Sequence, residues 1–323
     1  MLNSYTLPIL KSAAIIITVS LLFSCDHGRK DETADVLKDV ESYMDDKPDS
    51  ALTVLQSISK ETLSSKELKT RHALLLSQAL DKNYIDLTND SLINIAVDYY
   101  KDRDDVRAKF LSYYYQGRIY TNANNLTQAT LAYMEAEQLV DELGDDYAAG
   151  LLYTQMGNIY RNYYDYPKAL ESYRLSTEHY HKADKPLHKL YGMLSQSAIY
   201  KSMNKETDSF HILYNTLIEA KETNQTSIIH SCLGDLIMLC LNMDKQEEAV
   251  SFYNELINHY SIERMTSSFY ASLGLLMAKE KNVEKSQLYI NKAWERARTQ
   301  SDSIHLYYIS SQVEQLSSSY QQA

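Results

Sequence analysis

The amino-acid sequence predicts an all-α fold, a right-handed α-solenoid of about seven helical hairpins followed by a C-terminal capping helix. The first observation is composition: among 323 residues there are only 8 Gly and 4 Pro, with no run of alternating β-branched residues, which disfavours a sheet. The second is an internal repeat, in which a pattern of small and aromatic residues in one stretch returns in the same order further along the chain. A period of roughly 20–50 residues is typical of stacked repeat architectures.

Two clear copies define the repeat. The first copy consists of Tyr113, Gly117, Tyr120, Ala129, Tyr133 and Ala136, and the second of Tyr153, Gly157, Tyr160, Ala169, Tyr173 and Ser176. In each copy the first three residues share one face of a helix, and the last three share one face of the next helix. Gly117 and Ala129 are small, so two antiparallel helices can approach closely there, with the tyrosines packed around the contact.

This pattern resembles the tetratricopeptide repeat (TPR), in which Gly, Tyr and Ala stand at these relative spacings. Fainter copies begin at Ser197, Leu233 and Tyr270, and residues 51–58 and 72–100 resemble parts of earlier copies. The interval from Gly117 to Gly157 is longer than the period that is usual for the family. It therefore predicts helices or connections that are longer than the standard ones.

Residues 1–24 are predicted to be a lipoprotein signal peptide. Lys11 is followed by an apolar run from Ala13 to Leu22, which is too short to cross a bilayer because about 20 residues are needed. The run ends in Leu-Phe-Ser-Cys, which resembles a bacterial lipobox. The resemblance implies cleavage before Cys25 and acylation of that cysteine. An ordinary signal peptide, or a membrane anchor with an incidental cysteine, is the alternative.

The remaining sequence is predicted to form four segments. Residues 25–35 contain the lipidated cysteine and a polar, flexible tether. Residues 36–105 form divergent N-terminal hairpins, and residues 106–300 form the TPR-like repeats. Residues 301–323 form a capping helix, because a solenoid needs a terminal helix with a polar outer side, and a helix that dimerises is the alternative. The inner face of this helix carries Ile309, Val313, Leu316 and Tyr320.

Helix starts within these segments are marked by capping residues and prolines. Ser50 and either Ser64 or Ser65 precede apolar stretches with helical spacing, so they are predicted to cap those helices. Pro167 and Pro186 are expected in the first turn of a helix, where the backbone N–H that proline lacks has no partner within the helix.

The sequence contains no recognisable catalytic constellation, so no enzymatic activity, cofactor or metal site is predicted. It lacks a phosphate-binding glycine loop and the motifs H-E-x-x-H and G-x-S-x-G. Cys232 and Cys240 lie about 12 Å apart along one helix, too far for a disulfide, and are predicted to be apolar core residues. His179, His181 and His188 match no zinc spacing and are expected to be solvated near a helix C-terminus.

Charge and tyrosine content restrict the partners further. The formal net charge of −11 argues against a nucleic-acid partner, because phosphate contacts need a basic surface. The 28 tyrosines suggest a sugar-stacking surface, but most occupy repeat positions where packing explains them. Tyr113, Tyr114 and Tyr115 cannot all face inward, since neighbouring helical residues point about 100° apart. Tyr114 is the predicted exposed ring of this group.

A binding groove is implied by the resemblance to the TPR family. In that family the first helix of each hairpin lines a concave surface, and its exposed positions follow the Gly of the motif. The corresponding candidates here, together with Tyr114, are Arg118, Asn122, Asn158, Arg161, Asn162 and Lys201. Their side chains could hydrogen-bond a peptide backbone and pair with its carboxylates. Polar residues that simply face solvent are the alternative.

The leading hypothesis is a lipid-anchored, non-enzymatic scaffold or adaptor that binds a protein or peptide in this groove at the bacterial cell envelope. Stacked repeats suit this role because they offer a long, preformed surface. The chain is similar to TPR lipoproteins of Bacteroidetes-type bacteria, which implies attachment to the outer membrane through the lipid. A glycan- or nutrient-binding component of an outer-membrane uptake system and a stand-alone sensor module of an envelope regulator are the alternatives. The partner, the membrane face and the oligomeric state stay open.

Overall fold

The computed structural model describes residues 32–260, 262 and 265–321, and within them the chain forms helices joined by turns and loops. No strand occurs among these residues, and successive helices pack against each other as hairpins. The predicted all-α class is therefore confirmed. The predicted signal peptide, Cys25 and most of the tether lie outside the described residues. Among the described helices, none is both long enough and apolar enough to cross a membrane.

The helices fall into two compact units, which divide between Asp145 and Asp146, inside the predicted repeat segment 106–300. In the N-terminal unit they are α1 (32–43), α2 (Pro48–Ser57), α3 (Lys66–Lys82), α4 (Ser91–Tyr100), α5 (Val106–Asn122), α6 (Leu126–Glu137) and α7 (Val140–Leu143). In the C-terminal unit they are α8 (Asp146–Asn162), α9 (Tyr166–Lys182), α10 (Pro186–Ser202), α11 (Glu206–Glu222), α12 (Thr226–Asn242), α13 (Gln246–His259), α14 (Ser267–Lys279), α15 (Val283–Arg296) and α16 (Gln300–Gln321).

The helix starts of the N-terminal unit agree only in part with the sequence prediction. Ser65 caps α3 as predicted, since its Oγ accepts a hydrogen bond from the Leu68 amide at 3.1 Å. The prediction for Ser50 is wrong, because α2 already begins at Pro48 and Ser50 lies inside it. The fixed φ of proline suits the first helical turn, so the helix starts at Pro48 without a side-chain cap.

The helices of the C-terminal unit follow a regular spacing. Helices α8 to α12 each have 17 residues. Helices α8 to α13 begin at equal intervals, at Asp146, Tyr166, Pro186, Glu206, Thr226 and Gln246. Two such helices and their two short connections make up one period of the sequence repeat. The prediction of longer helices or connections than those of the standard repeat is confirmed. We call α8, α10, α12 and α14 the first helices and α9, α11, α13 and α15 the second helices.

The connections between successive helices from α8 to α13, and the connection between α14 and α15, are each closed by one residue in the left-handed conformation. The backbone angle φ lies between 52° and 59° at Tyr164, Asp184, Asn204, Asn224, Asp244 and Lys281. The next amide donates to the carbonyl five residues earlier, for example Lys205 N to Tyr200 O at 2.9 Å. This bond satisfies a carbonyl that would otherwise be free at the helix end. Asn and Asp tolerate this conformation better than Tyr or Lys does.

In three hairpins, α5–α6, α8–α9 and α14–α15, a glycine on one helix lies against a large side chain on the next. A Cβ atom added at Gly157 would lie 2.7 Å from Cε1 of the fully buried Tyr173 ring. The Tyr173 hydroxyl donates a hydrogen bond to Asn158 Oδ1 at 2.7 Å. In the next hairpin the same two positions hold Ser197 and Leu213. There the larger residue on the first helix is matched by a smaller one on the second.

The last helix covers the end of the C-terminal unit. Helix α16 packs against α14 and α15. Ile309 and Val313, which were predicted on its inner face, are buried, whereas Leu316 and Tyr320 are half-buried. The apolar core that begins on α10 therefore continues as far as α16.

Substitution at the contact between Gly157 and Tyr173 tests its role in the hairpin. Gly157→Ser should lower the free energy of unfolding by about 1–3 kcal/mol, because the added atoms collide with a buried ring. The double variant Gly157→Ser, Tyr173→Leu recreates the pair found at Ser197 and Leu213. Its free energy of unfolding, measured by urea denaturation, should exceed the value expected from adding the two single losses by about 1 kcal/mol or more. Losses that simply add would contradict this packing.

The left-handed residue of the connection after α8 gives a second stability test. Tyr164→Asn should raise the free energy of unfolding by about 0.5–1 kcal/mol, because Asn adopts positive φ with less steric strain than Tyr. Asn204→Tyr, at the equivalent place after α10, is the reciprocal control and should lower it by a similar amount. Thermal melting of both variants checks the two signs. A change of the same sign in both would refute the steric explanation.

Candidate functional site

Tyr114 does not face a groove, so that sequence prediction is wrong. Its side chain is only 5% exposed, and its ring centroid lies 5.0 Å from that of Tyr115 and 6.1 Å from that of Tyr133. Burial raises the pKa of Tyr114 well above its ordinary value. The reason is that α5 packs against α3, α4 and α6, so its buried face is wide enough for two adjacent tyrosines. Tyr113 is half-buried instead.

Arg118 and Asn122 lie further along α5, and Arg118 is already engaged in an ion pair. Its Nε lies 2.8 Å from Asp81 Oδ1 on α3, and its side chain is half-buried. Together with Ile85, these residues border a recess of only about 10 Å³. A space of this size holds about one water molecule at most. The N-terminal unit therefore has no ligand-sized cavity at these two candidates.

The remaining candidates lie on α8 and α10, two of the first helices of the C-terminal unit. Arg161 and Asn162 are exposed on α8, and Asn158 is half-buried one turn earlier. Lys201 is exposed on α10, with its Nζ 3.0 Å from Asp235 Oδ1 on α12. Of the predicted residues, Lys201 is the one that borders a large cavity.

This cavity has a volume of about 810 Å³ and lies along α10, α12, α14 and α16. We call it the first-helix cavity. Its walls include Lys201 of α10, His230, Ser231, Gly234, Asp235 and Met238 of α12, Phe269, Ser272 and Leu275 of α14, and His305, Tyr308 and Ile309 of α16. All of these residues belong to the C-terminal unit.

Small residues at helical spacing leave room for the cavity. Helix α12 is mostly apolar, but Ser227 and Ser231 lie one turn apart on the cavity wall. Ser268 and Ser272 repeat the same spacing on α14. Gly234 lets α12 approach the Phe269 ring, since a Cβ atom there would lie 2.5 Å from Phe269 Cδ2. These serine stripes are the signal in the sequence that could have located the cavity.

Two histidines in the cavity wall have ring nitrogens without hydrogen-bond partners. The Nε2 atoms of His230 and His305 are buried and unpartnered among the residues that the structure describes. The His230 ring meets the Tyr260 ring edge-on, with 5.4 Å between centroids. Burial lowers the pKa of His230 below its ordinary value, so its neutral form is favoured. Apolar walls with a few polar groups are typical of binding sites.

The histidines around α9 were expected to be solvated, and for two of them this is wrong. His179 Nδ1 lies 2.7 Å from Asp146 Oδ1, and the His188 ring contacts Tyr147 and Tyr180, with 5.4 and 5.0 Å between ring centroids. The reason is that antiparallel packing brings the end of α9 onto the first turn of α8. His181 is exposed, as predicted.

The two cysteines of α12 are core residues, as predicted. Cys232 and Cys240 are fully buried free thiols. Burial raises the pKa of Cys232 to about 12 and that of Cys240 to about 11, so neither carries a thiolate at neutral pH. Within the described ranges, no group of three or more His, Cys, Asp or Glu residues is placed to hold a metal ion.

No family model matches this sequence, and no curated protein matches it either. Solved structures do share its fold. The apo form of RapI aligns with a TM-score of 0.66 at 13% identity, over 89% of this chain and 86% of that chain. The apo quorum sensor NprR from B. thuringiensis aligns with a TM-score of 0.61 at 15% identity, over 88% and 79%.

Two further structures extend the comparison. NprR in complex with its cognate peptide NprX aligns with a TM-score of 0.52 at 15% identity, over 88% of this chain and 81% of that chain. A tetratricopeptide repeat protein from Parabacteroides merdae aligns with a TM-score of 0.50 at 13% identity, over 86% and 98%. At such low identity these similarities show the fold alone. They confirm the TPR-like architecture predicted from the repeat.

Proposed function

We propose that this protein is a lipid-anchored, non-enzymatic scaffold or adaptor that binds a peptide or a protein segment along the first helices of its C-terminal unit. The observation that carries the proposal is the first-helix cavity, which is bordered by three successive first helices and by α16. Its volume of about 810 Å³ lies within the roughly 300–1,000 Å³ of typical ligand sites. It can therefore hold one or two side chains of a longer bound segment.

The lining of the cavity suits a side chain with both apolar and polar parts. Met238, Phe269 and Leu275 supply apolar surface from α12 and α14, and Tyr308 of α16 is exposed beside them. Burying an apolar side chain against such surface contributes about 25 cal/mol per Å². The walls belong to packed helices, so little ordering accompanies binding. That NprR, which shares the fold, has been solved with a peptide supports this kind of ligand.

The polar groups of the cavity favour binding over catalysis. An activated nucleophile needs a base within hydrogen-bond reach and a third group that orients the base. Among the described residues, no hydrogen bond joins a serine of the cavity to His230 or to His305. Asp235 is engaged by Lys201 at 3.0 Å. These groups can recognise a ligand, but they do not form a catalytic relay.

Filling the cavity tests this function. Ser231→Trp places an indole in the cavity from an exposed position on α12 and should reduce recovery of the bound partner about tenfold or more, because the side chain of the partner loses its pocket. Recovery is measured by crosslinking in intact cells and purification through a C-terminal tag. Ser251→Trp, at an exposed position on the second helix α13, is the matched control and should leave recovery unchanged.

Melting curves of both tryptophan variants should match that of the wild type. With folding intact, equal recovery from the wild type and from Ser231→Trp would contradict binding in the cavity. Recovery of an oligosaccharide instead of a polypeptide would favour the glycan-binding alternative.

The lipid anchor is the second part of the proposal, and the residues Leu-Phe-Ser-Cys ending at Cys25 support it. Cys25→Ala should abolish incorporation of labelled palmitate and move the protein from the membrane fraction to the soluble fraction, because acyl chains contribute about 0.8 kcal/mol per buried methylene. Cys232→Ala, which alters a buried thiol, is the control and should retain both properties. Palmitate on the Cys25→Ala protein would disprove lipidation at this site. Lipidation at Cys25 is consistent with the proposed location at the bacterial cell envelope.

A further inference from the structure

Charged residues of the C-terminal unit are divided unequally between first and second helices. The four first helices carry four basic residues and two acidic ones, a net charge of +2. The four second helices carry seven basic residues and eleven acidic ones, a net charge of −4. The whole chain has a net charge of −11. The first helices thus carry a small excess of basic residues in an acidic protein, and an unpaired cation among them would favour a segment of negative charge.

Three of the four cations on the first helices are already paired. Lys189 Nζ lies 2.6 Å from Glu219 Oε2 on α11, and Lys201 is paired with Asp235 at 3.0 Å. The ammonium group of Lys279 lies 3.6 Å from an Asp244 oxygen in the connection that precedes α13. A ligand would have to compete with these carboxylates for each of the three lysines.

Arg161 is the fourth cation, and its counterpart carboxylate is missing. Lys201 occupies the same repeat position one hairpin later and pairs with Asp235, which follows it by 34 residues. The residue at the equivalent place after Arg161 is Ser195, whose hydroxyl donates to the Tyr191 carbonyl at 3.0 Å. The Arg161 side chain is exposed and forms no ion pair within the described part of the chain. Its guanidinium is therefore available to a ligand.

Asn158 places a second donor beside Arg161. The two residues are three apart on α8, so they share one face of the helix. Asn158 Oδ1 accepts the hydrogen bond from the buried Tyr173 hydroxyl at 2.7 Å, which fixes the orientation of the amide. The Nδ2 group then remains as a donor. A guanidinium and an amide N–H that lie close together suit a carboxylate, which can accept two hydrogen bonds from arginine.

We propose that the bound segment is acidic and that Arg161, together with Asn158, binds one of its carboxylates. This inference rests on the proposed function, because it describes the ligand of the same first-helix surface. Lys201 lies at the edge of the first-helix cavity and Arg161 at the same repeat position on the preceding first helix. The carboxylate is therefore bound at α8. The ligand side chain that enters the cavity lies further on, beyond α10. The carboxylate belongs either to an Asp or Glu side chain or to the C-terminus of the segment.

Selection from a displayed library of random decapeptides tests the inference without knowledge of the natural partner. Selection on the wild type should enrich Asp or Glu at one position about tenfold over the input, since hydrogen bonds between charged groups are stronger than those between neutral groups. Arg161→Gln should abolish this enrichment, and Arg161→Glu should replace it with enrichment of Lys or Arg. Arg174→Gln on the second helix α9, where Arg174 is paired with Glu171 and Glu178, should retain it.

A second library with free C-termini separates the two sources of the carboxylate. Enrichment of internal acidic residues in the first library indicates a side chain, and enrichment only in the second indicates a terminal carboxylate. A peptide motif without acidic residues, or acidic enrichment that survives Arg161→Gln, would overturn the role of Arg161 and leave the proposed function intact. Failure of the wild type to enrich any peptide from either library would count against the proposed function itself. Matching melting curves establish that the variants are folded.

Discussion

Three hairpins, α5–α6, α8–α9 and α14–α15, depend on the close approach of a glycine on one helix to a large side chain on the next. Protein interiors have little free volume, so the size of one member restricts the size of the other, as in the pair Gly157 and Tyr173. The same constraint acts between successive first helices at Gly234 and Phe269. There it brings together two walls of the first-helix cavity. The contact that permits stacking therefore also shapes the candidate site.

Much of the fold could be predicted because the repeat is strongly periodic. Its interval located the hairpins and indicated long helices, and the helices of the C-terminal unit, at 17 residues for α8 to α10, confirm this. The capping prediction for α2 failed, because the helix already begins at Pro48 and Ser50 lies inside it. The burial of Tyr114 was also missed. Helical periodicity shows which residues share a face, but it does not show how many neighbouring helices cover that face.

The candidate site could be predicted only in part. Lys201 was found because it keeps the register of the repeat, and it does border the cavity. The rest of the cavity was missed because its walls come from helices far apart in the chain, including α16. Its space is created by small serines, whereas the residues predicted from the sequence have larger polar or aromatic side chains. That Arg161 lacks an ion pair could not be predicted, because the carboxylate that pairs with Lys201 belongs to a different helix, at Asp235.

The uniform connections of the C-terminal unit have a consequence for how such a chain can change its length. From α8 to α13 each connection turns the backbone in the same way, through one left-handed residue, and the helix starts are evenly spaced. Inserting a single residue into a helix would rotate everything after it by about 100° and turn its apolar face away from the core. Gain or loss of one complete hairpin leaves every other helix in phase. Evolution can therefore lengthen or shorten the surface formed by the first helices in steps of one hairpin, with each step adding or removing one first helix.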